Sequence, residues 1–358
     1  MVRAGRSGQE LAASTQSMIE GQYFRDILDQ PRAIAETLAH LEIGDQADSL
    51  RQGLRGGRFQ RIVLTGMGAS FHALQPLFLR LNGQGFTAAR VETSELIHSI
   101  ERWLAPETLL VVVSQSGESG EIVRLLEANR KRAPIVGITN ASDSHLARSA
   151  DVPILTTAGP ESSVSCKTYV TALMALHVLG GFLCGADGSR NELAPLASAV
   201  SSYLEHWQHH VSGIAETLEG VRNIFLLGRG DSLATTGDGA LILKESVRFH
   251  AEGMSGGAFR HGPLEMVDDS TLALVFAGAV STRTLQSRLA EDIRRAGGRV
   301  AWIADDTKHG AWCLPRVAPA LLPMLEILPV QMTTLALAER AGIEAGRFKR
   351  ISKVTTSE

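Results

Sequence analysis

Apolar and polar positions alternate along this chain in two rhythms. Short runs (Ile62–Leu64, Ala88–Thr93, Leu109–Val113, Pro134–Thr139, Val152–Leu155) read as strands, and the uncharged Leu110–Val113 as one buried on both faces of a parallel sheet. Between them, apolar residues recur at three-four spacing, as in Phe71–Leu81 and the pattern carried by Ile122, Leu125 and Leu126. Strands alternating with helices predict βαβ units, a parallel sheet and helices on both faces. Upstream, Glu20–Leu41 carries Tyr23, Ile27, Leu28, Ile34 and Leu38 at helical spacing, and Pro31 divides it into two helices. Residues 1–17 show no pattern and read as a loose tail. Two long helical stretches are expected at roughly 163–184 and 191–218. Within the first, Tyr169–Gly185 is almost uncharged but short of a bilayer span, so it reads as a buried helix.

The pattern then repeats. Ile62-Val-Leu-Thr-Gly-Met-Gly-Ala-Ser70 lines up with Ile224-Phe-Leu-Leu-Gly-Arg-Gly-Asp-Ser232, about 160 residues later. A strand, Gly-x-Gly, one residue and then serine, twice in one chain, marks two copies of one α/β domain. Leu272–Phe276 and Arg299–Ala304 continue the second copy as strands, with a closing helix at Glu326–Ala341. The expected boundaries are 1–45 for the tail and first helices, 46–205 and 206–340 for the two domains, and 341–358 for a C-terminal tail.

Composition narrows the function class. The chain has 358 residues, 44% hydrophobic and 20% charged, ordinary for a soluble globular protein of two domains. A net charge of −3 gives no reason to expect nucleic acid or an anionic membrane as partner. Cys166, Cys184 and Cys313 lie far apart with no CxxC pair, which argues against a disulfide framework or zinc cage and fits a reducing cytoplasm. Met1–Gly21 has no signal-peptide core. Neither glycine turn completes GxGxxG and neither is followed by a Walker lysine, so no nucleotide cofactor and no metal is expected.

The candidate chemistry begins where the Leu109–Val113 strand breaks into Ser114, Gln115, Ser116, Gly117, Glu118 and Ser119 ahead of a helix. Hydroxyls, an amide and free backbone N–H groups at a helix N-terminus suit a phosphate, although an ordinary capping turn has the same composition. Further on, Glu245 sits among Leu241, Leu243 and Val247 in a helical pattern. It is either one half of a solvated Lys244–Glu245 pair or a half-buried carboxylate with its pKa raised towards that of a general base. His261, pinned before Gly262-Pro263, suits proton transfer or packing, and His250 reads as structural. Lys353 lies in a polar terminal segment where lysines are usually solvated.

Taken together, SQSGES, GRGDS, ALILKES, HAEG, RHGP and the closing KVTTSE resemble the tandem sugar-isomerase (SIS) domain family, in particular the isomerase half of the glucosamine-6-phosphate synthases. The resemblance covers nearly everything after the first 20 residues. It implies two flavodoxin-like three-layer α/β/α domains, at least a homodimer, and a sugar phosphate as the small-molecule partner. It also implies phosphate binding by Ser70, Ser114, Gln115, Ser116 and Ser119, and proton transfer between C1 and C2 by Glu245. Ring opening falls to His261 reaching across from the neighbouring subunit, and an imine with the open-chain ketose falls to Lys353. Two positions depart from the synthase pattern: Ile242 replaces a lysine three residues before the base, and the family's own arginine near the tail lysine is not preserved, the segment reading Lys349-Arg-Ile-Ser-Lys353. The chain begins Met-Val-Arg, so a glutaminase with an N-terminal cysteine is not expected, nor is glutamine as nitrogen donor. The expected activity is isomerisation or deamination of a hexosamine 6-phosphate. The alternatives are a fructosamine-6-phosphate deglycase, a simple aldose–ketose isomerase, or a non-catalytic sugar-phosphate-binding regulator.

Overall fold

A computed structural model describes residues 19–186, 188–305, 310–350 and 352–354; the tail expected at 1–17 lies outside the described residues. The first sheet has five parallel strands: β1 (Arg61–Gly66), β2 (Ala88–Glu92), β3 (Thr108–Val113), β4 (Ile135–Thr139) and β5 (Val152–Leu155). Their order is β2-β1-β3-β4-β5. The second sheet has β6 (Asn223–Gly228), β7 (Ala251–Ser255), β8 (Thr271–Phe276) and β9 (Arg299–Ile303), in the order β7-β6-β8-β9. This is the first order with its last strand removed, and the registers match: Arg61 pairs with Thr108 as Asn223 pairs with Thr271. The duplication read from the glycine turns therefore extends through four strands. All six residues of β3 and of β8 are buried, as expected for central strands covered on both faces.

Three observations correct the sequence reading. The stretch expected as one helix over 191–218 is broken into Ser189–Glu192, Leu196–Leu204 and Trp207–Thr217. Pro195 stands at the N-cap of the second piece, where it cannot continue the preceding turn. Strand β7 is not among the expected strands, because Ala-Glu-Gly-Met-Ser carries no β-branched residue and lies at the sheet edge, mostly half-buried. Phe71–Leu81 is likewise two helices, Gly68–Ala73 and Gln75–Gly83.

The helices Lys167–Cys184 and Pro319–Ala341 are long and apolar enough to cross a bilayer, but 78% and 89% of an apolar 18-residue stretch of each is buried inside the fold. They therefore serve as core. Helix Leu233–Val247 of the second copy packs on Gly68–Ala73 of the first, and glycine makes the approach possible. A Cβ on Gly237 would sit 2.2 Å from Nδ1 of His72. Burial in that contact, with the nearby Arg90 and Lys244 charges, lowers the His72 pKa to about 4. The packing brings one face of the second copy's helix over the C-terminal edge of the first sheet, between β1 and β3, where strand order reverses and α/β proteins bind ligands.

Candidate functional site

At that edge lies a cleft of about 330 Å³, in the size range of small-molecule sites. The turn after β1 supplies Ser70, and the turn after β3 supplies Ser114, Gln115, Ser116 and Ser119. From the second copy come Leu241 and Glu245, one helical turn apart on the same face, and from the C-terminal segment come Phe348 and Lys353. Seven of the eight site residues expected from the sequence thus line one cleft.

The serine turn is rigid for identifiable reasons. Ser114 Oγ accepts from the Gly117 N–H (3.1 Å), and Ser116 Oγ accepts from the Glu118 N–H (3.2 Å). The Gln115 carbonyl accepts from the Asn140 N–H at 3.0 Å and from Thr139 Oγ1 at 3.2 Å. Gly117 has φ +62°, and a Cβ there would lie 2.3 Å from Ser144 Oγ, so only glycine fits. Glu118 is turned away, held by the His145 N–H at 2.6 Å and by the His145 ring. Ser119 is the N-cap of helix Gly120–Asn129, yet its hydroxyl makes no capping bond. That leaves a hydroxyl beside the first N–H groups of the helix, which have no partner within it.

Glu245 is largely buried. Burial raises its pKa, and the Lys353 and Lys244 charges pull it only part of the way back. Its carboxylate is thus shifted in the direction that suits a base working near neutral pH. The solvated Lys–Glu pair is half right: Lys244 is exposed, while Glu245 faces the cleft. Ile242, where the synthase pattern has lysine, is fully buried in the core and does not line the cleft.

Lys353 is not the solvated tail lysine that its position suggested. Its Nζ lies 2.8 Å from Glu161, whose carboxylate is fully buried. Glu161 also accepts from the N–H groups of Cys166 (3.0 Å) and Thr168 (3.2 Å), and from the Thr168 hydroxyl. Burial pushes the Glu161 pKa up, but the Lys353 charge and these hydrogen bonds outweigh it and hold it below the usual carboxylate value. The chain entering this segment is tied down at Gly346: its carbonyl accepts from Ser163 Oγ at 2.7 Å and its N–H donates to the Ser246 carbonyl at 3.0 Å. Sequence reasoning missed Glu161; its one signal was an acid in a hydroxyl-rich loop ahead of the apolar Lys167–Cys184 helix.

His261 stands apart from the other seven. It is exposed in the turn after helix Gly256–Phe259, its N–H bonded to the Ala258 carbonyl at 2.9 Å, and it does not line the cleft. Among the described residues, no three His, Cys, Asp or Glu side chains gather as a metal site.

The SIS domain family model matches residues 58–180 and 217–311, one segment for each sheet. A glutamine–fructose-6-phosphate aminotransferase of Pyrococcus horikoshii is 32% identical over 347 residues, covering 93% of this chain and 57% of that protein. The Thermococcus kodakarensis counterpart is 28% identical, covering 93% and 58%. The chain therefore spans less than two thirds of the length of these curated relatives. Among solved structures, the C-terminal domain of glucosamine-fructose-6-phosphate aminotransferase from Francisella tularensis superposes with a TM-score of 0.81 at 20% identity, covering 93% of this chain and 99% of that one. A glucosamine-6-phosphate deaminase from Thermotoga maritima superposes with a TM-score of 0.74 at 18% identity, covering 94% and 100%. At these identities the superpositions show the fold.

Proposed function

The chain belongs to the SIS domain family, and from that premise we propose that it is a cytoplasmic phosphosugar isomerase acting as a deaminase on a hexosamine 6-phosphate. The reading divides the chain into domains at 46–205 and 206–340, flanked by 1–45 and 341–358. One observation carries it: a hydroxyl-lined helix N-terminus and a half-buried carboxylate from the other copy line the same cleft. An uncharged cradle of hydroxyls and N–H groups suits a phosphate, and a base with a raised pKa suits abstraction of a proton next to a carbonyl or imine.

In the proposed sequence, Ser70, Ser114, Gln115, Ser116 and Ser119 hold the phosphate. His261, contributed by the partner subunit of a homodimer, moves the proton that opens the ring. Glu245 removes the C2 proton of the open-chain aldose, giving a 1,2-enolamine, and returns it to C1. The product is a C2 imine, and water adds to it and expels ammonia, leaving the ketose 6-phosphate. Lys353 is poised to exchange with that imine once its ammonium has lost a proton to water, and Glu161 holds its Nζ in place. Lys353 and Lys244 are the cations that act on the base, and Lys353, which lines the cleft, supplies positive charge to the developing enolate.

The test is a product panel: purified protein is incubated with glucosamine 6-phosphate and with fructosamine 6-phosphates, and ammonia, free amino acid and ketose phosphate are measured. Ammonia with fructose 6-phosphate is the expected result. Free amino acid would make the chain a deglycase, interconversion of aldose and ketose alone an isomerase, and ligand stabilisation without product a regulator.

A further inference from the structure

The second copy keeps a cavity where the first keeps its cleft, and its walls are chemically different. About 340 Å³ of space lies in the seam between the copies, bounded by helix Gln75–Gly83, the C-terminal part of Lys167–Cys184, the turn after β6 and the start of Leu322–Ala341. Asp231 lines it from the Gly228–Ser232 turn, at the position that Ala69 occupies in the first copy's cleft. Ala320 and Pro323 line it from the start of a core helix, much as Ser163–Ser165 do at the start of the other.

This cavity cannot be a second phosphate site. The turn after β8 is only Ala277-Gly278-Ala279 before helix Val280–Arg295 begins, with no side-chain hydroxyl in place of Ser114–Ser119. Ser232, the counterpart of Ser70, donates its hydroxyl inward to Glu326 Oε1 at 2.8 Å. Asp231 and Glu192 in the wall would repel a phosphate.

Its charged groups point to another guest. The Glu192 carboxylate, half exposed to solvent, lies 3.0 Å from His177 Nε2, and burial lowers the imidazole pKa. The Asp231 carboxylate makes no hydrogen bond or ion pair among the described residues, and burial raises its pKa. The Arg80 guanidinium donates to the His177 carbonyl (3.2 Å) and to Ser189 Oγ (3.4 Å) and also meets the Cys184 sulfur, and it has no carboxylate partner among the described residues. Leu77, Leu173, Leu176 and Met324 fill the wall between them. Inside the wall, one carboxylate without a partner, one guanidinium without a carboxylate and an apolar lining match one cation, one anion and an apolar body. We propose that this seam cavity is a second ligand site that takes a neutral, apolar α-amino acid, its ammonium on Asp231 and its carboxylate on Arg80. The site does not depend on the sugar chemistry assigned to the first cleft.

The test is isothermal titration of the full chain with L-leucine, with leucine amide and 4-methylpentanoate as probes that each lack one of its charges. L-leucine should bind once per chain and about tenfold or more tightly than either probe, because each probe forfeits one charge-assisted contact. Asp231→Asn and Arg80→Met should each weaken it by a similar factor while urea-unfolding midpoints confirm folded protein. Ala320→Trp, which fills the cavity from its exposed rim, should abolish binding without touching either charge. Fructose 6-phosphate should not compete. Absence of saturable leucine binding, equal binding of the two single-charge probes and leucine, indifference to all three substitutions, or displacement by fructose 6-phosphate would each overturn the proposal.

Discussion

Replacing Lys353 with methionine removes the cation from a carboxylate that has no access to water. Glu161 is fully buried, and Lys353 Nζ at 2.8 Å is its one charged partner among the described contacts. Breaking one side of a buried pair costs about 3–5 kcal/mol, because the remaining charge stays desolvated. Three donors would still hold the carboxylate (the Cys166 and Thr168 N–H groups and the Thr168 hydroxyl), and Lys353 is partly exposed, so the lower end applies: about 3 kcal/mol at pH 8. The pH dependence has a definite sign. With Lys353 present, the Glu161 pKa is depressed, and the pair contributes stability that is present above the unfolded carboxylate pKa and lost as pH falls. Without Lys353, burial is opposed only by hydrogen bonds and the folded pKa rises. Stability then falls as pH rises through that value. The cost of Lys353→Met, read from urea unfolding by circular dichroism, should therefore be largest at pH 8 and shrink towards pH 5. Glu161→Gln alone is also destabilising, but the double variant should cost less than the sum of the singles by about 2 kcal/mol. Additive costs, or a Lys353→Met cost that does not change between pH 5 and 8, would refute the buried pair.

Other predictions follow from the same surroundings. Asp238 is fully buried with both oxygens unpartnered among the described residues, and burial, then Glu245 and Glu161, push its pKa up. Asp238→Asn should be nearly neutral near pH 4 and stabilising at pH 8, by about 1.4 kcal/mol for each unit by which the folded pKa exceeds the unfolded one; equal urea midpoints at pH 8 would exclude a buried neutral acid. Gly117→Ala forces a Cβ against Ser144 and strains a positive φ, so it should weaken phosphosugar binding about tenfold in titration calorimetry, with a stability cost of about 1–3 kcal/mol. Lys244→Met removes an exposed charge that lowers the Glu245 pKa, and should move the acid limb of the kcat/KM profile upward by at most about half a pH unit. A downward shift would show that Glu245 is not the titrating base.

The sheets and the duplication were legible because central parallel strands are continuous apolar runs, and Gly-x-Gly followed by serine recurs with them at the same register. Edge strand β7 was hidden because its pairing comes from β6 and not from its own composition. The breaks in 191–218 were hidden because an apolar pattern shows which face is buried, not where the chain turns between short helices. Ser114–Ser119 and Glu245 could be found as local combinations of residue types. Glu161 and Asp231 could not, since each acquires meaning only from groups far away in sequence: Lys353 for the first, the wall across the seam for the second. Lys353 itself read as solvated because nothing local announces that Gly346 anchors the segment. His261 is exposed and does not line the cleft, so the role proposed for it requires a second copy of the chain.

The most direct test of the central claim is proton exchange at the sugar. Fructose 6-phosphate or glucosamine 6-phosphate is incubated with the protein in deuterium oxide and followed by NMR, alongside Glu245→Gln. The wild-type chain should introduce deuterium at C1 or C2, and Glu245→Gln should introduce none while binding the same sugar phosphate with similar affinity. Continued exchange by Glu245→Gln, or loss of sugar-phosphate binding with the fold intact, would contradict the assignment of this carboxylate as the base over a phosphate-anchored substrate.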